Sequence, residues 1–111
     1  MTDRELLEAA AKAAGFANYT MRGDSVFVET GAARGDAGYY WNPLTNSGDA
    51  FELAVKLRLT VNCSYDDVVI CGQEFTQKEV FIERNGEDPL AATRRAIVRA
   101  AAAIGKEMKD D

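Results

Sequence analysis

The stretch DPLAATRRAIVRAAAAIGKEM, residues 88–108, decides the fold class of this chain. Asp88 is a residue type that caps helices, and Pro89 suits the first helical position because its missing N–H has no helical partner there. Apolar residues then recur at helical spacing and are expected to face inward: Leu90, Ile97, Ala101, Ile104 and Met108. The stretch therefore predicts the longest helix of the chain, with enough alanines to pack closely on a sheet.

Three strands are predicted before this helix. Residues 59–65 alternate apolar and polar side chains, residues 68–71 are apolar throughout, and residues 79–83 alternate again. A short turn between the first two strands makes them antiparallel. Cys63 and Cys71, the two cysteines of the chain, are expected to pack as small buried side chains in this strand pair.

Two further helices are predicted nearer the start of the chain. Thr2 and Glu5 have capping-box spacing and Gly15 suits a helix end, so the first helix should cover residues 3–14. Asn46 is expected to cap the second helix. The buried stripe of that second helix is predicted to contain Ala50, Phe51, Ala54, Val55 and Leu57.

A β-hairpin is predicted between these helices. The β-rich runs 18–22 and 25–29 are separated by Gly23-Asp24, a pair that accepts the backbone conformation of a tight turn. In that register Met21 faces Val26. The element order α-β-β-α-β-β-β-α then predicts one α+β domain over residues 1–111, a mostly antiparallel sheet of four to five strands packed with three helices.

The composition excludes several classes of function. The chain has no histidine and two cysteines, which rules out Ser-His and Cys-His catalysis and most zinc sites, and no cofactor or metal is expected. Its 13 basic and 18 acidic residues give a net charge of -5, the wrong sign for non-specific nucleic-acid binding. Because no apolar run approaches the roughly 18 residues of a membrane span, we expect a cytoplasmic protein with no membrane contact.

Residues 30–47 lack periodicity and are predicted to form a long loop, a feature that is often functional. The N–H groups of a helix start can receive an anion, and aromatic rings beside it can stack on a base. The predicted ligand-binding residues of this segment are Tyr39, Tyr40, Trp41, Asn42, Asn46, Ser47 and Gly48, with Tyr40 or Trp41 as the stacking face. The alternative is that Trp41 packs in the core and Asn46 only caps the helix.

Two arginines of the last helix are predicted to join this site. Arg95 and Arg99 lie four residues apart on one helix face and are suited to hold a phosphate. The alternative is a solvated basic face that pairs with neighbouring Asp and Glu side chains.

The segments WNPLTNSGDAFELAVKL (41–57) and DPLAATRRAIVRAAAAIG (88–105) resemble small uncharacterised proteins of tailed phages and prophages, related to the phage α-β-α sandwich family. The resemblance implies a phage or prophage origin and a helix-sheet sandwich. It carries no established activity and no catalytic residues.

These observations favour a non-enzymatic phage accessory protein that binds a host protein or a small anionic ligand through residues 39–48. One alternative is a counter-defence protein that binds a nucleotide signal, with Arg95 and Arg99 on its phosphates. Another is a minor virion or assembly component. A homodimer is compatible with each of these functions.

Overall fold

The computed structural model describes residues 1–30, 37–73 and 80–108, and its α+β class confirms the predicted fold class. The predicted strand residue Glu79 and most of the glycine-rich part of the predicted loop lie outside the described residues. In chain order the elements are α1 (Asp3–Ala14), β1 (Tyr19–Arg22), β2 (Ser25–Glu29), β3 (Gly38–Trp41), α2 (Ser47–Lys56), β4 (Leu59–Asn62), β5 (Val68–Gln73), β6 (Val80–Arg84) and α3 (Pro89–Glu107).

The described strands form two antiparallel sheets of three strands each, β1-β2-β3 and β4-β5-β6. The prediction of one sheet with four to five strands is therefore wrong. The strand that was not predicted is β3, which lies in the segment predicted to be a loop and pairs with β2 through Val26 opposite Trp41 and Val28 opposite Tyr39. Three consecutive aromatic residues favour a strand but show no alternation of polar and apolar side chains, so periodicity does not reveal it.

The predicted helix ends and hairpin are confirmed. Thr2 and Glu5 form a reciprocal capping box at α1, and Gly15 adopts the left-handed conformation at φ 80°. The carboxylate of Asp88 accepts the Ala91 N–H at 3.0 Å at the start of α3. The hairpin has the predicted register, with Met21 opposite Val26.

One cluster of buried side chains joins all three helices to both sheets. Helix α1 packs on β1 and β2, α3 packs on all three strands of the second sheet, and the two helices make the most extensive contact in the fold. They approach most closely at Gly105, where a Cβ atom would lie 1.9 Å from the backbone oxygen of Ala9. Glycine at this position lets the two helix backbones touch.

The predicted buried faces of α2 and α3 are partly wrong. On α2 the buried residues are Ala50, Leu53 and Ala54, whereas Phe51 and Val55 are exposed. The buried stripe runs through positions 50, 53, 54 and 57 and is rotated about the helix axis relative to the predicted stripe of 50, 51, 54, 55 and 57. Both sets of positions have the spacing of one helix face, so the sequence pattern does not distinguish them. On α3, Ile97 and Ala101 are buried as predicted, Ile104 is half-buried, and Leu90 and Met108 are exposed.

The two cysteines have different environments. Cys71 is fully buried on β5, as predicted, whereas the prediction of a buried Cys63 is wrong, because Cys63 lies one residue after the end of β4 and is exposed. Burial, with a smaller contribution from Cys63, raises the pKa of Cys71 to about 12. No helix among the described residues has the length and apolarity needed to cross a bilayer.

Gly105→Ala should destabilise the protein, although alanine is the better helix former by about 1 kcal/mol. The added methyl group collides with the α1 backbone, and overpacking of this kind costs about 1–3 kcal/mol. Urea unfolding followed by circular dichroism measures the change. Gly48→Ala is the control, since its Cβ would meet only the side chain of Asn46 at 3.2 Å, and a stabilised Gly105→Ala protein would contradict the close contact.

In the native protein, iodoacetamide at about pH 8 should label Cys63 quickly and Cys71 only after unfolding, because the thiolate is the reactive form. Mass spectrometry of the intact chain should show one adduct. Cys63→Ser should show none, and equal labelling of both thiols would be inconsistent with the burial of Cys71.

Candidate functional site

The three aromatic residues of β3 do not form one surface. Tyr39 and Trp41 point to the side of the sheet that packs on α1, and Tyr40 points to the other side. Trp41 is 3% exposed, and its ring lies edge to face with Phe16 at a centroid distance of 5.1 Å. The prediction that Trp41 offers a stacking face to a base is therefore wrong, and the alternative of core packing describes it.

Tyr40 remains accessible on the outer side of the β1–β3 sheet. Its side chain is 61% exposed, and one edge of the ring contacts Phe27 at a centroid distance of 5.3 Å. The guanidinium of Arg22 covers the Phe27 ring at 3.8 Å. Tyr40 is thus separated by the sheet from the other predicted aromatic residues.

The turn from β3 into α2 is stabilised by the polar side chains predicted to bind a ligand. Asn42 accepts the Leu44 N–H at 3.0 Å, and its own N–H donates to the Asp49 carboxylate at 2.9 Å. Asn46 caps α2 by accepting the Asp49 N–H at 2.9 Å. Because Asp49 places a carboxylate in the first turn, the start of α2 is a poor site for the predicted anion.

Ser47 and Gly48 form the first turn of α2, and Ser47 also contacts α3. Its hydroxyl accepts a hydrogen bond from the Arg94 guanidinium at 3.0 Å, and Arg94 donates a second one to the Leu44 carbonyl at 2.9 Å. Arg94, which is absent from the predicted site, therefore ties this turn to α3.

Arg95 and Arg99 lie near each other, and Arg95 also borders a cavity of about 530 Å³ with Leu44 and Thr45, which are not among the predicted ligand-binding residues. Arg95 pairs with Asp3 at 3.0 Å, and Arg99 pairs with Glu83 and lies over the Phe81 ring at 5.0 Å. Both line a cavity of about 600 Å³ to which none of the predicted loop residues contributes. These pairings match the alternative of a basic face neutralised by acidic neighbours, and the two arginines do not join the predicted phosphate site.

An apolar groove of about 560 Å³ lies between α2, α3 and β4, and sequence reasoning missed it. Three large apolar side chains stand at this groove and are mostly exposed: Phe51 at 69%, Val55 at 62% and Leu90 at 67%. We call this feature the α2–α3 groove, and the residues that line it are Ser47, Ala50, Phe51, Ala54, Val55, Arg58, Leu59, Val61, Leu90, Thr93, Arg94 and Ile97.

The charge of the α2–α3 groove is positive. The described residues that line it include Arg58 and Arg94 and no carboxylate, although the whole chain carries a net charge of -5. Arg58 follows α2 in the left-handed conformation at φ 55°, which a residue with a side chain adopts at a cost of about 1–2 kcal/mol. Glycine would adopt this backbone conformation more readily than arginine does.

A smaller cavity, of about 240 Å³, is lined by two of the predicted residues and lies on the opposite face of α2. We call it the aromatic pocket, and its lining includes Phe16, Tyr39, Trp41, Glu52 and Lys56. Burial and the nearby carboxylates of Asp49 and Glu52 raise the pKa of Tyr39. The environment of this pocket therefore disfavours additional negative charge.

The described residues contain no cluster of three or more acidic or cysteine side chains that could hold a metal ion. Comparison of the chain with protein-family models, with curated proteins and with solved structures gives no match. The resemblance to phage proteins stays a prediction from the sequence.

Asn46→Ala should lower the free energy of unfolding by about 1 kcal/mol, because the Asp49 N–H loses its capping acceptor. Asn46→Asp retains an acceptor and should leave stability nearly unchanged. Urea unfolding curves of the two variants provide the comparison. If Asn46→Ala leaves the stability unchanged, the Asn46 side chain is not needed to cap α2, and the first prediction that it binds a ligand would be favoured.

Proposed function

We propose that this chain is a non-enzymatic accessory protein that binds a partner protein through the α2–α3 groove. The observation that carries the proposal is the exposure of Phe51, Val55 and Leu90 around one apolar groove. Contiguous exposed apolar surface on a folded domain is typical of an interaction site. The groove includes Ser47, so it begins at one end of the segment 39–48 first predicted to bind the partner.

A protein segment fits this surface better than a small molecule does. The volume of about 560 Å³ is within the range of small-molecule pockets, roughly 300–1,000 Å³. However, the three exposed side chains extend the apolar surface beyond the groove. A small ligand inside the groove would leave these side chains exposed to water. An amphipathic helix laid along the groove would cover both the groove and these side chains.

The two arginines determine the charge of the expected partner. Arg58 and Arg94 line the groove without a carboxylate among the described lining residues. An acidic amphipathic helix would pair with them, and complementary charge favours the correct partner and speeds its association. A second copy of this chain is a poorer occupant, because a two-fold contact through this face brings together two surfaces that carry the same positive charge.

The phage setting of the proposal rests on residues 41–57 and 88–105 alone. Helix α2 and the first part of α3, which provide most of the groove, belong to these two segments. We infer that the groove is the surface through which a phage protein of this kind would engage a host protein.

Peptide selection tests the proposed partner chemistry. A random-peptide display library selected on the wild-type protein should yield sequences that combine large apolar residues at helical spacing with Asp or Glu. Their affinity, measured by fluorescence anisotropy, should fall about ten-fold or more in Phe51→Ser and in Leu90→Ser, since large buried side chains dominate interface energetics. Tyr65→Ser is the control, because Tyr65 is similarly exposed and does not line the groove.

Arg58→Gly gives a second test in which stability and binding move in opposite directions. Relief of the left-handed backbone should stabilise the fold by about 1 kcal/mol, while the selected acidic peptides should bind several-fold more weakly. Thermal unfolding and anisotropy measure the two effects. The proposal fails if the selected peptides are basic, if Phe51→Ser binds them normally, or if wild type forms a dimer that Phe51→Ser dissociates.

A further inference from the structure

Three aromatic rings, those of Phe16, Tyr39 and Trp41, line the aromatic pocket. The Phe16 ring is nearly perpendicular to Tyr39 and to Trp41, with interplanar angles of 85° and 84° and centroid distances of 6.5 Å and 5.1 Å. Each ring carries negative charge density on its face, and several rings around one cavity attract a cation.

The groups around these rings favour positive charge as well. Glu52 lines the pocket, and so does Ala14, the last residue of α1, where the helix end carries partial negative charge. The chain places a cation of its own here, because the Lys56 ammonium lies 5.5 Å from the centre of the Phe16 ring. Lys56 and Glu52 are both exposed side chains of α2, one helical turn apart.

We propose that the aromatic pocket binds a quaternary ammonium group, carried by a small molecule such as choline or by a trimethylated lysine side chain. The ligand displaces the Lys56 ammonium, its methyl groups contact Phe16 and Tyr39, and Glu52 balances its charge. Trp41 forms the buried floor of the pocket.

The pocket should favour a methylated ammonium over a primary one, because a primary ammonium is strongly hydrated and loses that hydration among the aromatic rings. A primary ammonium has three N–H donors, and Glu52 is the single carboxylate among the described lining residues. A quaternary ammonium has no donor to satisfy and presents an apolar surface to the rings. At about 240 Å³ the cavity suits such a headgroup and is too small for a nucleotide, since drug-sized ligands occupy roughly 300–1,000 Å³.

Titration with choline tests the site directly. Trp41 lines the pocket and is the one tryptophan of the chain, so the tryptophan fluorescence reports on this site alone. Choline should change Trp41 emission saturably and shift the indole N–H resonance. The neutral alcohol with carbon in place of the choline nitrogen, and ethanolamine with its unmethylated amine, should each bind about ten-fold more weakly. A parallel titration with a trimethyllysine peptide and its unmodified form identifies which carrier of the group binds more tightly.

Two variants of exposed side chains separate a ligand site from ordinary packing. Lys56→Ala removes the competing cation and should tighten choline binding several-fold, whereas Glu52→Gln should weaken it several-fold. Glu8→Gln is the matched control, because Glu8 is an exposed carboxylate on α1 that does not line the pocket. Circular dichroism verifies that each variant is folded.

The proposal is overturned if choline and its neutral analogue bind equally, because charge would then make no contribution. It is also overturned if Lys56→Ala shows no saturable response to choline or to the trimethyllysine peptide. Phe51→Ser should leave choline binding unchanged, which keeps this site distinct from the α2–α3 groove.

Discussion

The close contact between α1 and α3 is the constraint on which the rest of the fold depends. At Gly105 the backbone of α3 lies so close to the backbone of α1 at Ala9 that no side chain fits between the two residues. Each helix in turn covers one of the two three-stranded sheets, so the contact between the helices joins both sheets in one core. The surfaces available for binding are therefore those that this helix pair leaves open, along α2 and beside the end of α1.

Helix α2 places the two candidate sites on opposite sides of itself. Its buried stripe faces α3 and the core, Phe51 and Val55 extend toward the α2–α3 groove, and Glu52 and Lys56 border the aromatic pocket. The direction of α2 is set where it begins, by hydrogen bonds of Asn42, Asn46 and Asp49. A change in this turn would reorient both sites together, although they do not share a functional side chain.

Features encoded by adjacent residues were predictable, and those that depend on distant packing were not. The capping box at Thr2, the Asp88 cap and the tight turn at Gly23 each require only a few neighbouring residues, and the structure confirms them. Prediction of strand β3 would have required the knowledge that β2 lies beside it. Prediction of which face of α2 is buried would have required the position of α3, because two overlapping apolar stripes in residues 50–57 both have helical spacing. The groove follows from the rotation of α2 and was invisible for the same reason.

The predicted anion site at the start of α2 illustrates how the fold uses residues that sequence reasoning assigned to function. A helix start beside aromatic rings suggested an anion, because free N–H groups and the helix dipole are positive there. The chain meets that requirement itself with the Asp49 carboxylate, and burial together with the carboxylates of Asp49 and Glu52 raises the pKa of Tyr39. No side-chain polar atom buried in the described residues lacks a hydrogen-bond partner. The proposed binding therefore uses surfaces that the fold leaves open, which are the exposed apolar side chains of α2 and α3 and the aromatic pocket beside α1.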